Sequence, residues 1–227
     1  MDMQQPVLEA RDITRLVLAS ARELLRGVSL SIAPGDRVAL TGPTGAGKTL
    51  LLRALAMLDP IERGQVLWRG ESVSPRAVPY FRSHAIYLHQ RPALIEGTVV
   101  DNLRLPFSFK EHRNRVFDTD RVTQLLAAAG RDGDFLDREA RSLSGGEAQI
   151  VAVLRALQLA PAVLLLDEPT AALDAQSVAA IERLVSEWHG ASSGRAWLWV
   201  THSETQLARV STRILHMNAG ALRERES

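Results

Sequence analysis

The stretch "GDRVALTGPTGAGKTLLLRALAMLDP", Gly35 to Pro60, decides the class of fold. Its first part reads as a short apolar strand ending in glycine, and its last part as a helix stopped by Pro60. Between them lies "GPTGAGKT", where Gly42, Gly47, Lys48 and Thr49 satisfy G-x-x-x-x-G-K-[ST] in the strand-to-helix context that the pattern requires. Glycines let the backbone wrap so that N–H groups face phosphate oxygens, and the helix start adds partial positive charge. The loop Gly42, Pro43, Thr44, Gly45, Ala46, Gly47, Lys48 and Thr49 is therefore a candidate cradle for a nucleoside triphosphate. Lys48 would meet the β- and γ-phosphates, and the Thr49 hydroxyl would meet Mg²⁺. A plain glycine-rich turn with a surface lysine is the competing reading. It fits poorly with a chain whose only lysines are Lys48 and Lys110.

Outward from this stretch, apolar runs alternate with helical patterns. "VLEARDI", "LRGVSLSI", "GQVLWRG" and "HAIYLHQ" read as strands toward the N-terminus. "AVLLLDEPT", "RAWLWVTH" and "TRILHM" do so toward the C-terminus, separated by helical segments at 174–188 and 203–210. From Arg91 to about Leu159 the strand signal gives way to helical patterns. The expectation is one α/β domain over 1–227, with a mostly parallel sheet in a core of about 1–90 and 160–227 and a helical subdomain of about 91–159.

A second site is expected at "VLLLDEPT", Val163 to Thr170. Four apolar residues before Asp167 describe a strand buried on both faces, delivering an acid to the crevice at the carboxyl end of an α/β sheet. Asp167 is placed to hold Mg²⁺, through water, because that ion keeps part of its hydration shell. Glu168 precedes Pro169 and is predicted to stay extended, so that its carboxylate points away from Asp167 toward the attacking water.

"LSGGEAQ", Leu143 to Gln149, supplies a third. Ser144 and Glu147 form S-x-x-E ahead of Ile150, Val151, Val153, Leu154 and Leu157, which predicts a capping box opening an amphipathic helix. Capping leaves Gly145 and Gly146 unexplained, since glycine weakens a first turn unless something approaches the backbone closely. A serine hydroxyl and two glycines at a helix start make a second phosphate-binding surface. With the β-phosphate already held by the first loop, its simple use is a γ-phosphate held by another copy of the chain, giving a twofold dimer that buries two ATP molecules.

The ordered set "GPTGAGKT", Gln90, "LSGGEAQ", "VLLLDEPT", "AALD" and "VTH" resembles the ATP-binding subunit of an ABC transporter along essentially the whole chain. The resemblance implies a P-loop NTPase with a RecA-like core, an antiparallel β-subdomain, an inserted helical subdomain and head-to-tail ATP sandwich dimers. It implies that Gln90 senses Mg²⁺ and a polytopic transmembrane permease subunit, that Asp174 crosses the dimer, and that His202 contacts the γ-phosphate. Taken singly, Gln90 is also a strand-end polar residue, Asp174 a helix N-cap and His202 a turn histidine. The aromatic that the family usually stacks on adenine is missing from "RLVLASARELL", and Val17 is the candidate equivalent. "GTVVDNLRLPF", "WLWVTH" and the compact length are similar to Fet-type subunits associated with iron export, although phosphate and polar amino-acid importers use comparable short subunits. Cargo and direction stay open.

Composition bounds the rest. The 227 residues are 46% apolar with a formal charge of +1 and no cysteine, which excludes disulfides and thiolate metal sites and argues against nucleic acid as a partner. The N-terminus lacks the order of a signal peptide and no apolar run reaches the roughly 20 residues that span a bilayer. Together with the resemblance, this places the chain in the cytoplasm, peripheral on the inner face of the membrane, with ATP and Mg²⁺ as its ligands. A C-terminal regulatory domain is not expected. The rival is a soluble ABC-type ATPase acting on nucleic acid or as an assembly factor. Leu94, Ile95, Val99, Leu103 and Phe107 are dense enough that any left exposed would form a groove for a helix of the membrane partner.

Overall fold

The computed structural model describes residues 5–17 and 22–224, apart from the side chains of Val17 and Arg22. The side chain of Val17, the candidate adenine contact, is thus outside what is described. Two compact units emerge. One contains residues 1–87, 162–168 and 193–227; the other contains residues 88–161 and 169–192.

The first unit holds two sheets. Strands β1 (Leu8–Val17), β2 (Arg22–Ile32), β4 (Arg63–Trp68) and β5 (Glu71–Ser72) form an antiparallel sheet in the order β2-β1-β4-β5. Strands β3 (Arg37–Thr41), β6 (Ala85–Leu88), β7 (Val163–Asp167), β8 (Ala196–Val200), β9 (Arg213–Asn218) and β10 (Ala221–Glu224) form the other, ordered β10-β9-β3-β8-β7-β6. The β3, β7, β8 and β9 pairings are parallel, and β7 and β8 are buried at every position. Continuous apolar runs such as "VLLLD" and "AWLWV" suit strands covered on both faces. Because parallel strands end on the same edge, the residues that follow β3, β7 and β8 gather there. Leu8, Ile13, Leu25, Leu40, Leu51 and Leu165 belong to the apolar cluster of this unit.

Helix α1 (Lys48–Leu55) starts where expected but stops five residues before Pro60. Met57 adopts a left-handed φ of 55°, while its N–H bonds Ala54 O and that of Leu58 bonds Arg53 O. This pair of bonds is a Schellman ending, and its signal was hidden because methionine occupies the position usually given to glycine. Helix α2 (Val78–His84), with Pro79 in its first turn, and the final hairpin were also missed. Ala219 and Gly220 turn that hairpin with φ of 46° and 81°, a two-residue loop in which both central residues are left-handed. Helix α7 (Glu204–Val210) completes the unit.

The helical unit takes in more chain than residues 91–159, because helix α6 (Ala175–Gly190) packs on helix α5 (Gly145–Leu157). Helices α3 (Val99–Arg104) and α4 (Thr119–Ala128) also pack against α5. Five of α5's apolar residues, Ile150, Val151, Val153, Leu154 and Leu157, are at most 1% exposed.

Candidate functional site

The loop from Gly42 to Gly47 joins β3 to α1. Gly42 has φ 138°, and a Cβ there would lie 2.0 Å from Met217 O, so only glycine fits. Gly47 at φ 107° occupies the cap position of α1 and offers no side chain to its first N–H groups. By contrast, α3 to α7 are capped by Thr98, Asp118, Ser144, Asp174 and Ser203. The first-turn amides of α1 are thus left available for an anion, which is the fit a phosphate needs. Lys48 is 6% exposed and its Nζ donates to Gly42 O at 2.8 Å and Pro43 O at 3.0 Å. Burial holds its pKa below that of an ordinary lysine, against the pull of the Glu168 and Asp167 carboxylates.

Asp167 ends β7 and is 3% exposed. Its Oδ1 accepts from Thr49 Oγ1 at 3.2 Å, and its Oδ2 accepts from the Tyr87 hydroxyl at 2.9 Å. A hydroxyl beside a buried carboxylate is a hard, oxygen-only donor set of the kind Mg²⁺ takes. Glu168 corrects an expectation: its φ is 47°, left-handed and not extended. The kink, not strand alternation, separates the two acids, and it brings Glu168 Oε1 to 3.0 Å from His202 Nε2. His202 follows β8, on a turn held by Thr201, whose Oγ1 donates to Gln206 Oε1 and accepts from Ser203 N. Beside the start of the loop a cavity of about 530 Å³ is lined by Gly42, Pro43, Thr201, His202 and His216, among others. The structure therefore brings Gly42–Thr49, Asp167, Glu168 and His202 together in the first unit.

Gln90, Ser144–Glu147 and Asp174 lie in the helical unit. Gln90 is exposed, two residues beyond β6. Ser144 and Glu147 form the expected capping box, with Glu147 N donating to Ser144 Oγ at 3.3 Å and Ser144 N to Glu147 Oε2 at 2.9 Å. Arg138 grips the same carboxylate with both terminal nitrogens, at 2.5 and 3.2 Å. That bidentate bond, aided by the Ser144 amide and hydroxyl, holds the Glu147 pKa at about 2. The two glycines have different reasons. A Cβ on Gly146 would meet Ser177 Oγ at 2.3 Å, so an internal contact and not a ligand requires glycine there. A Cβ on Gly145 would meet nothing within 4 Å among the described residues. Asp174 caps α6, accepting from Ser177 N at 2.9 Å and Ser177 Oγ at 2.7 Å, and these bonds lower its pKa.

Residues 25–171 match the family described as "ABC transporter". This chain belongs to the ABC transporter family. The chain is 32% identical to the Escherichia coli protein named "Probable iron export ATP-binding protein FetA", over 99% of this chain and 97% of that one. It is 36% identical to "Protein STAR1" of Oryza sativa subsp. japonica and 34% identical to the spermidine/putrescine import ATP-binding protein PotA of Spiroplasma citri. Those matches cover 96% and 98% of this chain, which spans only 62% of the length of each of the two relatives. A dimeric ATP-binding cassette solved in a post-hydrolysis state with ADP and Pi superposes with a TM-score of 0.84 at 26% identity, covering 96% of this chain and 98% of that one. The fold is that of ABC cassettes, a P-loop NTPase of mixed α/β class.

Three residues that shape these sites escaped the sequence reading. Tyr87 sat inside an apparent strand, and Ser177 and Arg138 carried no motif. Only the D-x-x-S spacing of Asp174 and Ser177, a cap pattern, was there to be found.

Proposed function

We propose that this ABC family member is the ATP-binding and ATP-hydrolysing subunit of a transporter, working as a head-to-tail pair of copies on the inner face of the membrane beneath a separate polytopic permease. The observation that carries this reading is the convergence, at one sheet edge, of the uncapped α1 start, the Thr49–Asp167 pair and the Glu168–His202 pair.

In this reading the triphosphate lies along the first-turn amides of α1, with Lys48 turned from the loop carbonyls toward the β- and γ-phosphates. Thr49 and Asp167 would hold Mg²⁺, which would supply positive charge against that of the triphosphate. Glu168 orients the attacking water and accepts its proton, the kink at φ 47° setting its carboxylate apart from Asp167. His202 steadies Glu168 through their 3.0 Å contact and meets the γ-phosphate. Ser144, Gly145, Gly146 and Glu147 of the second copy close over that phosphate, with Asp174 crossing between copies. Gln90 reports nucleotide state to the permease.

Similarity to FetA along nearly the whole of both chains supports iron export as the cargo reading, while PotA carries a different cargo in its name. Cells lacking the chain should then accumulate iron. The class is tested by purifying the tagged chain from its native membranes. Co-purification of a polytopic membrane protein with Mg²⁺-dependent ATPase activity is expected; bound RNA or DNA that survives high salt would replace the reading.

A further inference from the structure

Asp167 is buried at the end of β7, yet only one of its two oxygens faces Thr49. The other is taken by a residue 80 positions away, Tyr87 on β6, whose hydroxyl donates to Oδ2 at 2.9 Å. The Arg53 guanidinium of α1 is a close electrostatic neighbour of Tyr87. Arg53 Nε and Nη2 reach the two oxygens of Asp59 at 2.9 and 2.6 Å, and Arg15 of β1 adds an ion pair with Asp59 at 2.8 Å. Asp59 and Arg15 side chains are 13% and 18% exposed and that of Arg53 is 36% exposed, so the outer end of this chain of groups is the better shielded from water.

We propose that Tyr87 is a positioning residue for Mg²⁺-nucleotide binding: it locks the Asp167 carboxylate so that Oδ1 is the oxygen presented beside Thr49. A carboxylate at a strand end swings about its last torsion, and each of its oxygens is chemically equivalent until something distinguishes them. The phenol does so, because it donates to one oxygen only. An ordinary phenol keeps its proton at neutral pH, so the hydroxyl facing Oδ2 at 2.9 Å is a donor. Arg53, on the helix whose first residues carry Lys48 and Thr49, ties the tyrosine to the same element that holds the phosphates. The group that orients the acid is thereby referenced to the phosphate cradle itself. Outer partners of metal-binding carboxylates commonly set metal affinity by about 10–100-fold.

This inference rests on the proposed role of Asp167 toward Mg²⁺, and the test separates the two. ATP binding to the purified full chain is measured by equilibrium dialysis, first in EDTA and then across a Mg²⁺ titration, for wild type, Asp167→Asn, Tyr87→Phe and Arg53→Met. Tyr87→Phe should raise the Mg²⁺ concentration for half-maximal enhancement of binding by roughly tenfold, while metal-free ATP binding stays within about twofold. Arg53→Met, which leaves the phenol in place but loosens it, should shift the midpoint in the same direction by about threefold, and it decides the matter if Tyr87→Phe does not fold. If Asp167→Asn moves the midpoint but Tyr87→Phe leaves it unchanged, the positioning role is wrong and the Mg²⁺ reading stands. A midpoint unmoved even by Asp167→Asn overturns both.

Discussion

Gly146 backs directly onto Ser177: a Cβ at position 146 would lie 2.3 Å from the serine Oγ and 2.9 Å from its Cβ. Ser177 is 3% exposed and hydrogen-bonded to Asp174, so it has little room to retreat. Gly146→Ala should destabilise the isolated chain by about 1–3 kcal/mol, the usual cost of overpacking. Gly145→Ala, with open space around it, should leave stability within about 1 kcal/mol of wild type. Yet it should abolish ATP-driven pairing if a partner's phosphate approaches that backbone. Urea unfolding and size-exclusion chromatography with ATP read the two effects, and equal unfolding midpoints for the two variants would contradict the contact.

The Glu168–His202 contact at 3.0 Å gives the second expectation. Glu168→Gln should bind Mg²⁺-ATP normally but lose turnover by about 10²–10⁴-fold, since the carboxamide cannot accept the water's proton. ATP should then accumulate in a stable pair of copies, because bridging ligand stabilises association and hydrolysis no longer removes it. Turnover at the wild-type rate would take the base assignment away from Glu168.

Glu147 predicts a pH dependence. Its pKa of about 2 lies below the ordinary 4.5, so its contribution to stability is complete above pH 4.5 and is lost as pH falls from there through about 2. Arg138→Gln removes the main cause of the depression. The stability gap between wild type and this variant should be widest near neutral pH and close across that acid window. Urea midpoints measured from pH 2 to 7 check it; a gap independent of pH would mean that Arg138 acts through packing alone.

Of the five apolar residues considered for a partner groove, Val99 and Leu103 are fully buried and Phe107 packs edge-on against Phe117 at 5.7 Å. Ile95 alone of the five is exposed, at 41%, on a loop pinned by buried Asn102, which bonds both Ile95 N and Ile95 O. Ile95→Glu should leave folding and basal ATPase activity unchanged and uncouple hydrolysis from transport in reconstituted vesicles. Intact coupling would remove Ile95 from the partner surface.

The features legible in the chain were those whose causes are local. The P-loop, the capping box at Ser144 and the buried runs of β7 and β8 each depend on residues within a few positions of one another, so their spacing alone specifies backbone and partner. The turn at Met57 broke that legibility because a methionine adopted a glycine's conformation inside a local motif. Everything that distinguishes one carboxylate oxygen from the other was decided elsewhere. Tyr87 reaches Asp167 only because β6 lies beside β7 in the sheet, and Glu168 is held kinked next to His202 because β8 ends on the same edge. Gly146 is glycine because α6 crosses it, a fact carried by Ser177 some thirty residues later. Local spacing determined which chemical groups the site contains; the strand order and helix packing, which bring distant residues within bonding distance, decided where each of those groups points.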